Sequence, residues 1–159
     1  MRKAQFAVKA GEDYMIKLSK IAASTEEIAE KALHKAAGIV TDKVRENLKK
    51  NIADPTSAAK SGMAIFKKVG SKRTGDLSES LGITPMKLDR DGYFNVKIGF
   101  DGYDRDGVPN QLKARVMESG SSTIAPRPFV RPAVKATKKT AEEAMGRVID
   151  EEIEKIMKG

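Results

Sequence analysis

Residues 24–55 read STEEIAEKALHKAAGIVTDKVRENLKKNIADP, and this stretch decides the architecture of the chain. Apolar side chains recur at every fourth position, and most of the other positions hold lysine, glutamate or small residues. The apolar series is Ile28, Ala32, Ala36, Val40, Val44, Leu48 and Ile52. Pro55 ends the pattern, because the residue before a proline avoids the helical conformation. The stretch predicts an amphipathic helix of about 28 residues, roughly 42 Å long at 1.5 Å per residue.

The residues before this helix predict where it starts. Residues 24–27 form a capping-box pattern, in which the Ser24 hydroxyl accepts the Glu27 N–H and the Glu27 carboxylate accepts the Ser24 N–H. Further upstream, weak alternation of apolar and polar residues predicts a short strand over 3–9. Apolar residues at helical spacing then predict a short helix over 12–22.

After the long helix, the sequence predicts a β-hairpin. Residues 83–88 and 93–100 alternate apolar and polar side chains, and the Asp-Arg-Asp-Gly sequence between them is typical of a turn. Pro85 marks the first strand as an edge strand. Residues 74–81, before the hairpin, have the composition of one or two helical turns.

Two more helices follow the hairpin. Residues 110–118 predict a short helix that ends at Gly120. Residues 125–132 contain three prolines and are predicted to be extended, and a last helix is predicted over 132–157. The inward positions are expected at Leu112, Val116 and Met117 in the short helix, and at Val134, Ala141, Met145, Val148, Ile149, Ile153 and Ile156 in the last one.

Together these elements predict an α+β fold, in which a small antiparallel sheet packs against one long helix and a C-terminal helix. A length of 159 residues fits one domain covering residues 1–159. Residues 53–73 follow neither a helical nor a strand pattern. We therefore expect a flexible arm or loop there.

The composition excludes several classes of protein. The chain has no cysteine, which excludes a disulfide scaffold, thiolate zinc sites and cysteine nucleophiles. No stretch approaches the ~20 apolar residues that cross a bilayer, so we expect no membrane contact. The net charge is +8, but each of the two long helices is nearly neutral as a whole. A basic DNA-recognition helix is therefore not indicated.

The sequence predicts no catalytic residue, no cofactor site and no metal site. Residues 101–107 faintly resemble a calcium loop, but counting from Asp101 the third position is Tyr103 and the twelfth is Leu112. Both positions require oxygen donors in such a loop, so we expect a solvated turn. His34 is the only histidine, and no second histidine or acidic pair stands nearby to complete a ligand set or a triad. No serine stands in the frame of a nucleophile elbow.

A basic cluster beside an aromatic residue lies within the predicted arm. Two interpretations stay open: a solvated surface loop, or an arm that becomes ordered on a partner. Its cations would allow sequence-independent, salt-sensitive contacts with phosphate. The candidate arm contacts are Phe66, Lys67, Lys68, Lys72 and Arg73.

Three short motifs occur in a fixed order along the chain. Thr74-Gly75-Asp76-Leu77 precedes the hairpin, Glu118-Ser119-Gly120 ends the short helix, and Pro128-Phe129-Val130-Arg131-Pro132-Ala133 precedes the last helix. In this order they resemble the family of small neck or minor tail components of siphophages and prophages, the gene-product-ten type of the HK group. Where that family usually has two aromatic residues, this chain has Lys113 and Ser119.

The resemblance implies a non-enzymatic structural protein of the virion, without a cofactor, at the head–tail junction or in tail completion. It also implies a ring of identical copies, with neighbouring neck, connector or tail proteins as partners. Such a protein is present in the host cytoplasm during assembly and then in the virion. The alternative that the basic charge leaves open is a non-specific DNA-binding or DNA-packaging accessory protein.

The resemblance further implies structural or assembly roles for the motif residues. The two motif glycines are expected to form tight turns, and the prolines to stiffen the approach to the last helix. Phe129 is expected to anchor that approach in the core. Glu118 is expected to pair with Arg127 or Arg131, or to cap a helix. The full set is Gly75, Leu77, Glu118, Gly120, Pro126, Pro128, Phe129, Arg131 and Pro132.

Overall fold

A computed structural model describes residues 2–53, 77–104 and 107–159. The predicted α+β architecture is confirmed: long helices dominate, and one short antiparallel hairpin packs against them. The elements are α1 (Arg2–Ala23), α2 (Thr25–Ala53), β1 (Leu81–Ile83), β2 (Lys87–Leu88), β3 (Phe94–Asn95), β4 (Ile98–Phe100), α3 (Asn110–Ser119) and α4 (Val130–Lys158). In the part of the chain so described, no helix is long and apolar enough to span a membrane.

The long helices α2 and α4 form an antiparallel pair. At one end, the Asn47 side-chain amide donates to the Phe129 carbonyl at 3.2 Å. At the other end, the Lys31 ammonium lies 3.0 Å from the Glu152 carboxylate. Both helices bury small side chains along their length, namely Ala32, Ala37, Ala133, Thr137, Ala141 and Ala144. Small side chains at a helix contact allow the two backbones to approach closely.

The hydrophobic core lies where the C-terminal half of α2, the hairpin, α3 and the start of α4 meet. The buried residues of this cluster are Val44, Leu48, Leu77, Leu81, Phe100, Ala114, Met117, Phe129 and Ala133. The rings of Phe100 and Phe129 meet edge to face, with centroids 5.9 Å apart, the arrangement that aromatic pairs prefer. Phe129 is 0% exposed, so the residue that precedes α4 lies fully within the core.

The predicted hairpin is present, and a bulge interrupts it. Its outer half pairs Lys87 with Asn95, and its inner half pairs Ile83 with Ile98. Three residues, 84–86, therefore face only two, 96–97, on the opposite strand. The extra residue coincides with Pro85, which has no N–H to donate to the ladder. Beside the bulge, the Thr84 hydroxyl accepts the Lys97 N–H at 2.9 Å.

The predicted strand over 3–9 is wrong, because helix α1 runs without a break from Arg2 to Ala23. Residues 3–10 consist largely of alanine, lysine and glutamine, which are strong helix formers.

The capping box at Ser24 is also not formed. The Ser24 N–H donates instead to the carbonyls of Lys20 and Ile21 in α1, and the Glu27 carboxylate pairs with Lys31 at 2.8 Å.

Some predicted inward positions are wrong as well. Leu112 and Val134 are exposed, and Asn110, Ala114 and Ala133 are buried instead. Met117 and Ala141 are buried as predicted. The last helix begins at Val130 rather than at Pro132. Asp104, expected in a solvated turn, is buried.

The predicted arm over 53–73 lies, apart from its first residue, outside the described residues. The same holds for its candidate contacts Phe66, Lys67, Lys68, Lys72 and Arg73 and for the motif glycine Gly75.

The burial of Phe129 generates a stability prediction. Phe129→Ala should lower the free energy of unfolding by about 3–5 kcal/mol, because it removes a buried ring and leaves a cavity against Phe100. Urea denaturation followed by circular dichroism measures this. The exposed Val134 on the same helix provides the control, since Val134→Ala should change stability by no more than about 0.5 kcal/mol. Equal stability of Phe129→Ala and wild type would contradict the anchor role.

Candidate assembly site

The second and third sequence motifs meet where α3 ends and α4 begins. The Glu118 carboxylate accepts three consecutive backbone N–H groups at the start of α4. One carboxylate oxygen accepts from Phe129 at 2.7 Å and from Val130 at 2.8 Å. The other accepts from Arg131 at 3.0 Å. Glu118 therefore caps α4, and it also pairs with Arg131, whose guanidinium nitrogen lies 3.7 Å from the carboxylate.

The start of α4 has backbone N–H groups that need an acceptor from outside the helix. The first N–H groups of a helix have no carbonyl partner within the helix. Phe129, the residue that precedes the helix, makes no side-chain capping bond, and Pro132 has no N–H at all. The donors that remain are those of residues 129–131, and Glu118 accepts all three. Its negative charge also lies at the positive end of the helix dipole.

The environment of Glu118 lowers its pKa. Burial works to raise the pKa, because the Glu118 side chain is only 13% exposed. The backbone N–H groups of Val130, Arg131 and Phe129, together with the nearby Arg131 charge, outweigh that effect and bring the pKa below the ordinary value of 4.5. Glu118 is therefore charged at neutral pH and committed to the cap.

Gly120 makes the turn between the two motifs possible. Its φ of 75° and ψ of −175° lie in a region that is essentially restricted to glycine. A Cβ at this position would lie 2.6 Å from the Ile124 carbonyl oxygen and 2.9 Å from the Pro126 nitrogen. Next to it, the Arg127 N–H donates to the Met117 carbonyl at 2.6 Å. The proline segment is thus held tightly against the end of α3.

The remaining predicted residues divide between the core and the surface. Leu77 lies in the same buried cluster as Phe129. Pro126, Pro128, Arg131 and Pro132 are exposed. The second and third motifs therefore form a corner, with Phe129 buried on its inner side and the exposed prolines and Arg131 on its outer side.

No pattern in the sequence predicts the second structural contact, a buried ion pair between Asp104 and Lys113. The Asp104 side chain is only 1% exposed and that of Lys113 only 12%. Asp104 also accepts the Val108 N–H at 2.8 Å. The same carboxylate therefore contacts both the segment between β4 and α3 and, through Lys113, helix α3 itself. A buried charge requires such a partner.

A family model described as "Bacteriophage HK97-gp10, putative tail-component" matches residues 12–103, more than half of the chain. The matched range includes α2, the first motif around Leu77 and the whole hairpin. No curated protein and no solved structure matches the chain. Within the described ranges, no group of three histidine, aspartate or glutamate side chains is placed to hold a metal ion.

Gly120→Ala should destabilise the protein by about 1–3 kcal/mol from backbone strain alone, with the clash against Ile124 and Pro126 in addition. Thermal unfolding measures the loss. Gly146 offers the matched control, because it lies within α4 and a Cβ there would meet nothing within 4 Å. Gly146→Ala should raise stability by about 0.5–1 kcal/mol. A neutral Gly120→Ala substitution would contradict the assigned turn.

Glu118→Gln should lower stability at pH 7 by about 1–3 kcal/mol, because a neutral amide is a weaker acceptor for three N–H groups. The folded-state pKa of Glu118 lies below its ordinary value of 4.5. The stabilisation by its charge is therefore complete above about pH 4.5 and is lost as the pH falls through the folded-state pKa.

The difference in unfolding free energy between wild type and Glu118→Gln should accordingly shrink as the pH falls below 4.5. Denaturant titrations at several pH values measure it. Glu151→Gln, at an exposed position further along α4, controls for the general effect of removing one charge. A difference that stays constant down to low pH would show that the Glu118 charge is not what caps α4.

Proposed function

The chain belongs to the HK97 gp10-like family of bacteriophage tail components, and on this premise we propose that it is a non-enzymatic structural protein of the virion. It acts at the head–tail junction, as a neck or tail-completion protein, and assembles there as a ring of identical copies. Its partners are the neighbouring neck, connector or tail proteins, which it meets in the host cytoplasm during assembly. The family match over residues 12–103 carries this proposal.

The use of the Glu118 carboxylate supports a structural role. A carboxylate with a shifted pKa is a candidate for acid–base chemistry when it faces an open cleft. Here the Glu118 oxygens are occupied by three backbone N–H groups. The carboxylate therefore fixes the direction of α4. A fixed helix direction suits a subunit that has to match its neighbours in an assembly.

The shape of the helix pair supports assembly into a ring. Helices α2 and α4 each contain 29 residues, so each extends roughly 43 Å at 1.5 Å per residue. The core lies at one end of the pair, next to Phe129, and the other end carries α1. A subunit with two different ends meets its neighbours through unlike surfaces, and such contacts close into a ring when the rotation permits.

Deletion of the gene from the phage or prophage should abolish infectious particles and leave DNA-filled heads without attached, completed tails. Electron microscopy of the lysate and a plaque assay measure this. Wild-type protein supplied from a plasmid should restore the titre, and Phe129→Ala, which weakens the core, should restore it poorly.

The other outcomes would contradict the proposal in distinct ways. Normal tailed particles from the deletion would show that the protein is not needed for the tail. Heads without DNA would point to the DNA-packaging alternative instead. Absence of the protein from purified wild-type virions, measured by mass spectrometry, would also overturn a structural role.

A further inference from the structure

The charges of α4 are segregated along the helix, although the helix is nearly neutral as a whole. Residues 130–140 contain four lysine or arginine residues and no acidic residue. Residues 141–158 contain six acidic and three basic residues, and two of the basic ones, Lys155 and Lys158, pair with Glu152 and Glu154. We name the first set, Arg131, Lys135, Lys138 and Lys139, the basic face.

The acidic half of α4 lies beside the acidic start of α2. Lys31 fixes this arrangement, because its ammonium contacts Glu27 of α2 at 2.8 Å and Glu152 of α4 at 3.0 Å. The contact of Asn47 with Phe129 places the basic face at the opposite end of the helix pair. We name the surrounding exposed carboxylates the acidic end: Glu26, Glu27, Glu30, Asp150, Glu151 and Glu154.

Neither surface is fully neutralised by ion pairs within the chain. Lys138 and Lys139 reach Glu142 and Glu143 only at 4.0 Å, and the Lys139 side chain remains 90% exposed. Among the described residues, Lys135 on the basic face and Asp150 and Glu151 at the acidic end have no ion-pair partner. Charge of opposite sign therefore stays exposed at the two ends.

Both charged surfaces surround exposed apolar side chains. Val134 is 45% exposed and lies three residues after Arg131 and four before Lys138, which places it on the same face of α4. At the acidic end, α1 exposes Tyr14, Met15 and Leu18. The Lys17 ammonium holds α1 there by donating to the Met157 carbonyl at 2.6 Å. An apolar centre with a charged rim is the composition of protein–protein interfaces.

From these features we infer that the acidic end of one copy docks on the basic face of the next copy. The two surfaces are complementary in charge, and they lie too far apart on one chain to meet each other. Each copy offers one of each, so the contact is head to tail. DNA would use the basic face alone and would be repelled by the acidic end. The inference rests on the proposed ring and names the surfaces that build it.

Charge reversal tests the inference by complementation of the deletion phage. Lys135→Glu with Lys138→Glu, and separately Asp150→Lys with Glu151→Lys, should each lower the titre by about tenfold or more, because like charges then face each other. The four substitutions combined should restore most of the titre, since complementarity returns with reversed signs. The matched control is Lys87→Glu with Lys97→Glu, an equal change of charge on exposed hairpin residues, which should complement normally.

The outcomes separate this inference from the proposed function. A deletion with no defect would overturn the proposed function itself. A defective deletion that both reversed variants rescue fully would overturn only the docking surfaces. Loss of titre in the basic-face variant alone, with no rescue by the fourfold variant, would assign the basic face to DNA or another partner and would also overturn the inference.

Cross-linking gives a second, direct measurement in purified virions. Because the chain has no cysteine, Lys138→Cys with Glu151→Cys introduces the only two thiols in each copy. A bismaleimide should then link the copies into a ladder of multimers on a denaturing gel. Each single variant should give no ladder. Dimers alone from the double variant would indicate a two-fold contact and contradict the head-to-tail arrangement.

Discussion

The capping of α4 by the Glu118 carboxylate is the interaction on which the rest of the architecture depends. It fixes the first turn of α4 against the last turn of α3 through three N–H groups. In that position the Phe129 ring lies in the core, where it contacts the ring of Phe100 in the hairpin. The Glu118 carboxylate thereby fixes the positions of α3, α4 and the hairpin relative to one another. Hydrogen bonds to a charged acceptor are strong, and the Glu118 side chain is largely shielded from water.

The core joins the part of the chain that the family model matches to the part that it does not. Leu48, Leu77 and Phe100 belong to the matched range, whereas Met117 and Phe129 come after it. The apolar side chains of the matched residues are therefore buried in part by the helices that follow the match. The Pro-Phe motif lies outside the matched range, but its Phe129 packs in the same core as the matched residues.

Sequence reasoning predicted the elements whose signals are local and long. Helix α2 has seven apolar positions at one spacing and a proline stop, and the hairpin has alternation around a turn. The strand over 3–9 was wrong because a few alternating residues carry less information than the helix propensity of their neighbours. The cap by Glu118 was one of several open roles, because choosing it requires knowing that residues 118 and 129–131 meet in space. The pair of Asp104 and Lys113 depends likewise on a loop closure that no periodic pattern encodes.

The same carboxylate links stability to the proposed assembly surface. Cations near the start of a helix oppose its dipole, at a cost of about 0.3–1 kcal/mol each. Helix α4 nevertheless has Arg131 in its first turn and no acidic residue there. Glu118 supplies the missing negative charge from α3 and lies 3.7 Å from the Arg131 guanidinium. The basic face is thus tolerated at this position because its opposing charge comes from another element. Side chains on its outer side can therefore change without removing the acceptor that caps the helix start.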